Sequence, residues 1–426
     1  MMPLSHIALL LHAAAISMLL APIRSSVAAP GEQGPSRPRA RDLGIPFEGT
    51  PGRHNAITDV AGVEVGHTTL VSGDGPLVQG KGPVRTGITA ILPRGRAVGV
   101  PVFAGWFSLN GNGEMTGTTW LEESGVLEGP VLITNTHSVG VARDATIQWM
   151  LQHRPDFRWA LPVVAETYDG VLNDINGFHV TPAHVFAALD RARSGPVTEG
   201  AVGGGTGMLC NGFKGGIGTS SRRLPPESGG YSLGVLVQCN YGSRRGLRIA
   251  GVPVGQELVE PAVCVAGSKP PSREWLREMP RCGTRNSYVE RPNPEMGSII
   301  IVIATDAPVL PHQLRRLVKR ASLGLGREGS ISSNFSGDIF IAFSTANIGL
   351  TADSLLVRLE MIPNEKLDPL FTATVQATEE AVTNAMLAAV TMTGADSIRA
   401  HGLPHDRLLA ILRKFNRIEA PKGARR

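Results

Sequence analysis

Apolar residues fall along this chain in short runs separated by glycine and proline, the pattern of strands that end in tight turns. Runs at 59–67, 87–93 and 97–103 predict strands of one sheet, and those at 131–135, 234–240, 299–304 and 338–344 predict further buried strands. Helical spacing replaces alternation over 139–152, 182–193, 312–323, 370–391 and 404–415; the fourth is free of Pro and Gly and follows an Asp368-Pro369 start signal. Strands and helices are mixed without a regular βαβ repeat, which favours an α+β fold of layered sheets under helices over a doubly wound nucleotide-binding sheet. The stretch 255–295 differs. Its prolines, many charges and few strand signals predict a long exposed loop between two parts of one core, of a length that is functional or disordered in compact domains.

Composition narrows the class. With 426 residues, 42% of them hydrophobic and 18% charged, the chain can bury a large core. The net charge of +5 comes with only 5% aromatic residues and no basic stripe interleaved with them, so the basic balance predicts no nucleic-acid partner. Residues 7–20 are apolar and lead into Ser25-Ser26-Val27-Ala28-Ala29, a small-residue site that predicts a signal peptide over 1–28 cut after Ala28, and hence export to the periplasm or beyond. Its first six residues lack Lys and Arg, so a membrane anchor or a misplaced start remains the alternative reading. No later segment reaches roughly 18 uninterrupted apolar residues, which predicts no stable membrane insertion. Residues 29–44, rich in Pro, Gly and Arg, read as a disordered linker, and 45–426 as a single domain. Four cysteines, Cys210, Cys239, Cys264 and Cys282, contain no CxxC pair and so argue against a zinc knuckle; Cys264 and Cys282 could close a disulfide in an exported chain.

The candidate chemistry centres on Gly297-Ser298, which opens the apolar run 299–304. Were the bond before Ser298 cut, that residue would hold a hydroxyl nucleophile and an α-amine whose reference pKa is about 7.7–8.0, so nucleophile and base would share one residue. A plain strand after a turn is the alternative. Gly203-Gly204-Gly205-Thr206-Gly207 and Lys214-Gly215-Gly216-Ile217-Gly218 match neither dinucleotide nor P-loop spacing, and predict close backbone packing beside a site. His67, His137 and His179 show no HExxH or i,i+4 arrangement and read as structural histidines.

Taken together, Asn173-Asp174-Ile175-Asn176-Gly177, the Gly203–Met208 stretch, Val237-Gln238-Cys239-Asn240-Tyr241-Gly242, Gly297-Ser298-Ile299-Ile300 and Ser336-Gly337-Asp338-Ile339-Phe340 resemble the DmpA family of aminopeptidases, which includes the β-peptidyl aminopeptidases. The resemblance covers about 45–412. It implies a four-layer α-β-β-α sandwich, like that of ornithine acetyltransferase and of N-terminal-nucleophile hydrolases but with different connectivity from the latter. It further implies self-cleavage between Gly297 and Ser298 into an α chain, 29–297, and a β chain, 298–426, and a homo-oligomer of αβ units. Small peptides, amides or esters would be the substrates, with no metal or organic cofactor. Ser298 would be the nucleophile and Ser336 with Asp338 the relay and positioning pair, although β-peptidyl members can carry Glu where Asp338 stands. Asn240 and Tyr168 would be the oxyanion donors. Glu166, two residues before Tyr168 and on one strand face with it if the strand continues, is the first candidate for binding the substrate amine, and Glu114 the second; either could instead be a solvated loop charge. An acyltransferase of the ornithine acetyltransferase kind, which carries threonine at the Ser298 position, and a non-catalytic oligomeric homologue are the competing implications.

Overall fold

The apolar run that follows Gly297 lies in the middle of a sheet, covered on both faces. In the computed structural model, residues 37–97, 99–154, 156, 158–258, 263–284, 296–350 and 355–418 are described. Among them, strands numbered in chain order form two large sheets. One runs β1 (Glu64–Ser72), β2 (Val84–Arg96), β5 (Val131–Asn135) and β6 (Val163–Thr167). The other runs β4 (Val126–Leu127), β3 (Val102–Gly111), β13 (Phe335–Ser344), β12 (Met296–Thr305), β10 (Ser232–Asn240) and β9 (Gly216–Arg223). A short hairpin, β7 (Leu209–Cys210) with β8 (Phe213–Lys214), and a small sheet of β11 (Cys264–Val265), β15 (Ile398–Ala400) and β14 (Met392–Thr393) complete the strands.

Alternation along the strands explains the layers. On β12, Ile300, Val302 and Ala304 meet Ile91, Ile133 and Ala165 of the smaller sheet in a core between the two sheets. The intervening Ile299, Ile301 and Ile303 face helices α4 (Pro311–Val318), α5 (Ala321–Arg327), α6 (Asp368–Ala388) and α7 (His405–Lys414). The outer face of the smaller sheet is closed by α2 (Val139–His153) and α3 (Pro182–Asp190). A further helix, α1 (Thr118–Ser124), sends Leu121 into the core between the sheets. The result is helix, sheet, sheet, helix, as the sequence implies.

Three expectations need correction. The stretch 37–44, assigned to a disordered linker, is tied down by its arginines: Arg37 donates to Ala389 O (2.7 Å), Arg39 to His54 O (3.0 Å) and Asn55 O (2.9 Å) with an ion pair to Glu199 (2.7 Å), and Arg41 pairs with buried Glu380 (2.9 Å). Low apolar content is offset here by charge pairing with acids whose side chains are buried or nearly so. The helix expected over 312–323 breaks between Val318 and Ala321, because α4 packs on β3 while α5 turns to lie against α6. Finally, the stretch 255–295 is not simply an exposed loop. Where it is described, Cys264–Val265 pairs with β15, Cys264 is bonded to Cys282, and Val265 and Leu276 are buried. Residues 1–28, with the expected signal peptide, lie outside the described residues, as do 259–262 and 285–295. No helix among the described residues is long and apolar enough to cross a membrane.

Candidate active site

Ser298 sits two residues into β12, between two neighbours that matter. Antiparallel pairing sets Asn240 opposite it on β10, and parallel pairing sets Gly337 opposite it on β13. Because Ile300 and Val302 face the core between the sheets, Ser298 faces it too, as do Asn240 and position 337. Two glycines make room. Gly297 has φ +109°, a region L side chains avoid, and a Cβ there would lie 1.9 Å from Asn240 O. A Cβ on Gly337 would lie 2.8 Å from Ser298 Oγ and 2.3 Å from Asn112 O. The bond before Ser298 thus crosses a point of close backbone approach that only glycine tolerates.

The amide of Asn240 is oriented from outside the strand. Leu209 N–H donates to Asn240 Oδ1 (2.8 Å), which fixes the amide so that Nδ2 is the donor, one of its hydrogens going to Tyr168 O (3.0 Å). The hairpin that carries Leu209 is joined to β10 by a disulfide from Cys210 to Cys239, the residue before Asn240. Buried Lys214 donates to Met208 O (2.8 Å) and Gly215 O (2.7 Å), bracing the same hairpin; burial lowers its pKa to about 7 against the opposing pull of the Asp169 charge. The Gly203–Met208 stretch is therefore close backbone packing beside the site. Gly204, for instance, has no room for a Cβ, which would lie 2.2 Å from Gln238 Oε1.

Glu166 is buried at the end of β6, where its carboxylate accepts from Glu114 N–H (3.0 Å) and from the Thr136 hydroxyl. Burial raises its pKa, and those two hydrogen bonds oppose the rise. It lies near the rung opposite Ser298: a Cβ on Gly113 would lie 3.2 Å from Glu166 Oε1 and 3.5 Å from Gly337 Cα. Glu114 itself is exposed; its backbone N–H donates to Glu166, and its charge adds to the rise in the Glu166 pKa. Thr136 was not singled out in the sequence; a polar residue just past a buried strand is the only local signal it gives. Tyr168 lies beyond the end of β6, which stops at Thr167, so the shared strand face expected for Glu166 and Tyr168 does not hold. Its main-chain carbonyl meets Asn240, and its phenol folds over Gly170; the residue is still 39% exposed, and partial burial raises its pKa.

Ser336 and Asp338 are both buried, and Ser336 Oγ donates to Asp338 Oδ1 (2.6 Å). Alternation on β13 turns them to the helix-side face with Phe340 and Ala342, whereas Ser298 Oγ is on the other face. Ser336 pairs in register with Gly297, so this pair flanks the backbone at the Gly297–Ser298 bond, not the hydroxyl. His67, His137 and His179 stand where structural histidines would. His67 is half-buried against Thr89 (3.0 Å) with a pKa lowered to about 4, chiefly by desolvation, His179 contacts Asp174 (2.9 Å), and His137 stacks on Phe178. The sulfurs of Cys264 and Cys282 are joined to each other, with His401 Nε2 3.5 Å from Cys264.

A serine set between glycines on a buried strand, facing an oriented amide, can be compared with known proteins. Residues 55–400 match the model of peptidase family S58. The chain belongs to peptidase family S58. Within it, the chain is 55% identical over 386 residues to the β-peptidyl aminopeptidase BapA of Sphingosinicella microcystinivorans, covering 90% of this chain and 94% of that one. It is 48% identical over 383 residues to the corresponding enzyme of Sphingosinicella xenopeptidilytica, covering 88% and 91%. Among solved structures, the S58 chain resembles the L-aminopeptidase D-Ala-esterase/amidase of Ochrobactrum anthropi, described as a prototype of the serine aminopeptidases and a variant of the Ntn hydrolase fold. The TM-score is 0.78 at 48% identity, covering 90% of this chain and all of that one. A β-aminopeptidase from Burkholderia sp. matches with a TM-score of 0.77 at 46% identity, covering 88% and 98%. The family and the fold expected from the sequence are thus both shown.

Proposed function

We propose that this chain is a self-processing serine aminopeptidase that cuts itself at Gly297–Ser298 and then uses Ser298 to release N-terminal residues from short peptides, amides or esters. The observation that carries the reading is the ladder position of Ser298, directly opposite Asn240 and following a glycine held at φ +109°. In the first reaction Ser298 Oγ attacks the Gly297 carbonyl, the Ser298 nitrogen leaves as an amine, and water hydrolyses the resulting ester. The products are a Gly297 carboxylate and a free Ser298 amine.

In the second, that amine takes the proton from Oγ as the hydroxyl attacks the substrate carbonyl and passes it to the leaving amine, and water then hydrolyses the acyl ester on Ser298 to free the N-terminal residue. Asn240 Nδ2 donates to the oxyanion, with the Tyr168 hydroxyl as second donor. Glu166 holds the substrate ammonium through a charge-assisted hydrogen bond, supported by Thr136 and the Glu114 amide. Ser336 and Asp338, flanking the backbone at the cut, hold the new Ser298 amine and do not relay its hydroxyl proton. The likeness to β-peptidyl aminopeptidases favours substrates whose first residue is a β-amino acid; export rests on the apolar 7–20 run and the small-residue site at 25–29 of the sequence. Intact mass under denaturing, reducing conditions tests the reading. Wild type should yield a β chain of 426 − 297 = 129 residues, and Ser298→Ala a single chain. One uncut chain in both would overturn it.

A further inference from the structure

The loop that carries Tyr168 has no strand to hold it. It rests on a small separate core of Leu172, Val265, Leu276, Ile398 and Ala400, with Val171 and Leu209 packed against it. Val265 and Leu276 come from the 263–284 segment, closed on itself by the Cys264–Cys282 bond and paired through β11 with β15. From this segment Arg273, its side chain 15% exposed, reaches under the loop. Its guanidinium donates through Nη1 to Gly170 O, through Nη2 to Val171 O (2.9 Å) and through Nε to Asp396 Oδ2 (3.2 Å). Asp396 is itself fixed by Leu77 N–H (3.0 Å) and Ser272 Oγ (2.9 Å). The Tyr168 ring lies on the same backbone: a Cβ on Gly170 would fall 2.3 Å from the phenol oxygen. A planar fork with fixed donor directions can grip two consecutive carbonyls and a carboxylate at once, which an ammonium does less well.

We infer that Arg273 is a positioning residue for Tyr168, and that the 263–284 segment serves as the foundation of the oxyanion site and not as a cover over the substrate. The inference rests on the proposed role of Tyr168 as an oxyanion donor. The carbonyls of Gly170 and Val171 are tied through Arg273 to Asp396, just ahead of the central strand β15 of the small sheet, so the loop cannot shift without breaking an ion pair. The same core also holds Leu209, whose amide orients Asn240, so one foundation serves both donors. Charge acts in the same sense as geometry. The Arg273 cation offsets part of the rise that burial imposes on the Tyr168 hydroxyl, with Asp169 opposing it, and so keeps the phenol a stronger donor.

The test uses the full chain, confirmed cut by intact mass, with alanine and β-alanine p-nitroanilides as probes. Arg273→Met should lower kcat about tenfold with KM little changed, the loss expected for a coupled pair that acts on the transition state. Arg273→Lys should recover part of it. In a Tyr168→Phe background, Arg273→Met should cost nothing further. Asp396→Asn, which loosens the guanidinium without emptying its place, should show a smaller loss of the same kind and replaces Arg273→Met if that variant does not fold. An unchanged kcat in Arg273→Met, or an equal loss with and without the Tyr168 hydroxyl, would overturn the inference while leaving the aminopeptidase reading intact. Full activity in Tyr168→Phe alone would remove the oxyanion role and the inference with it.

Discussion

The two sides of this site are held in different ways. Ser298, Gly337 and the backbone of Asn240 are rungs of one ladder, fixed by strand pairing on both sides in the middle of a six-stranded sheet. Glu166 and Tyr168 lie at and beyond the end of β6, an edge strand, and depend on Thr136, the Glu114 amide and Arg273. Asn240 joins the two: its backbone is sheet, its amide is aimed by Leu209. The contrast teaches that a sheet can fix where an atom starts, but the direction of a donor is set by contacts outside the ladder. A reaction that begins with an attack on the chain's own backbone suits the rigid side, and recognition of a foreign substrate suits the adjustable one.

The sharpest way to break the contrast is on the rigid side. Gly297→Val should abolish cleavage and with it activity, since its Cβ would meet Asn240 O at a backbone angle it cannot adopt; intact mass reads the result. Asn240→Leu should lower kcat about a hundred- to thousandfold, the loss typical of an oxyanion donor, while KM changes little. On the adjustable side the effect should move from kcat to KM. Glu166→Gln removes a charge-assisted bond worth about 1.5–3 kcal/mol, so kcat/KM should fall about ten- to hundredfold, mainly through KM.

The same substitution carries a second signature. Burial raises the Glu166 pKa, so the folded chain binds this proton more readily than the unfolded chain. Stability from this group is therefore greatest below its unfolded pKa and is lost as pH rises through the raised value. Glu166→Gln should thus raise Tm at neutral pH even as it weakens catalysis. In the wild type, the acid limb of kcat/KM should lie above the usual range of a glutamate. The smallest effect on chemistry should come from Arg41→Met, far from both sides. Arg222 still pairs with Glu380 (2.8 Å), so the loss of stability should stay below the roughly 3–5 kcal/mol of breaking a buried pair outright, with kcat unchanged.

What the sequence disclosed follows the same division. β12 and β13 are apolar runs behind a small-residue motif, so Gly297 and Ser298 could be singled out from the chain directly, whereas the Ser336–Asp338 pair and Asn240 came only with the resemblance to the family. β9 escaped because Gly216, Gly218, Thr219, Ser220 and Ser221 do not look like a strand; they are small because α6 lies on them, a Cβ at Gly218 falling 2.0 Å from Ala381 O. The order of 37–44 escaped because the acid that meets Arg39 is 160 positions away and the one that meets Arg41 is 339. Arg273 escaped for a stronger reason. Two of its three partners are main-chain carbonyls more than a hundred residues distant, and a carbonyl has no side chain to announce it. The opposite faces of Ser298 and Ser336 were in principle countable, but only once the register of β12 on β13 was known.

The central place of β12 has one more consequence. The proposed cut before Ser298 would create a chain end inside a sheet whose remaining rungs bind both pieces, so the product would stay assembled without a covalent link. Folding, however, is learned by one chain and memory of it kept by two. Once denatured, the mature molecule must rebuild a strand order in which β12, from one piece, lies between β10 of the other and β13 of its own. Its recovery then depends on concentration, whereas the uncut Ser298→Ala chain refolds as a single molecule. The working lifetime of the mature form is thus governed by how slowly it opens.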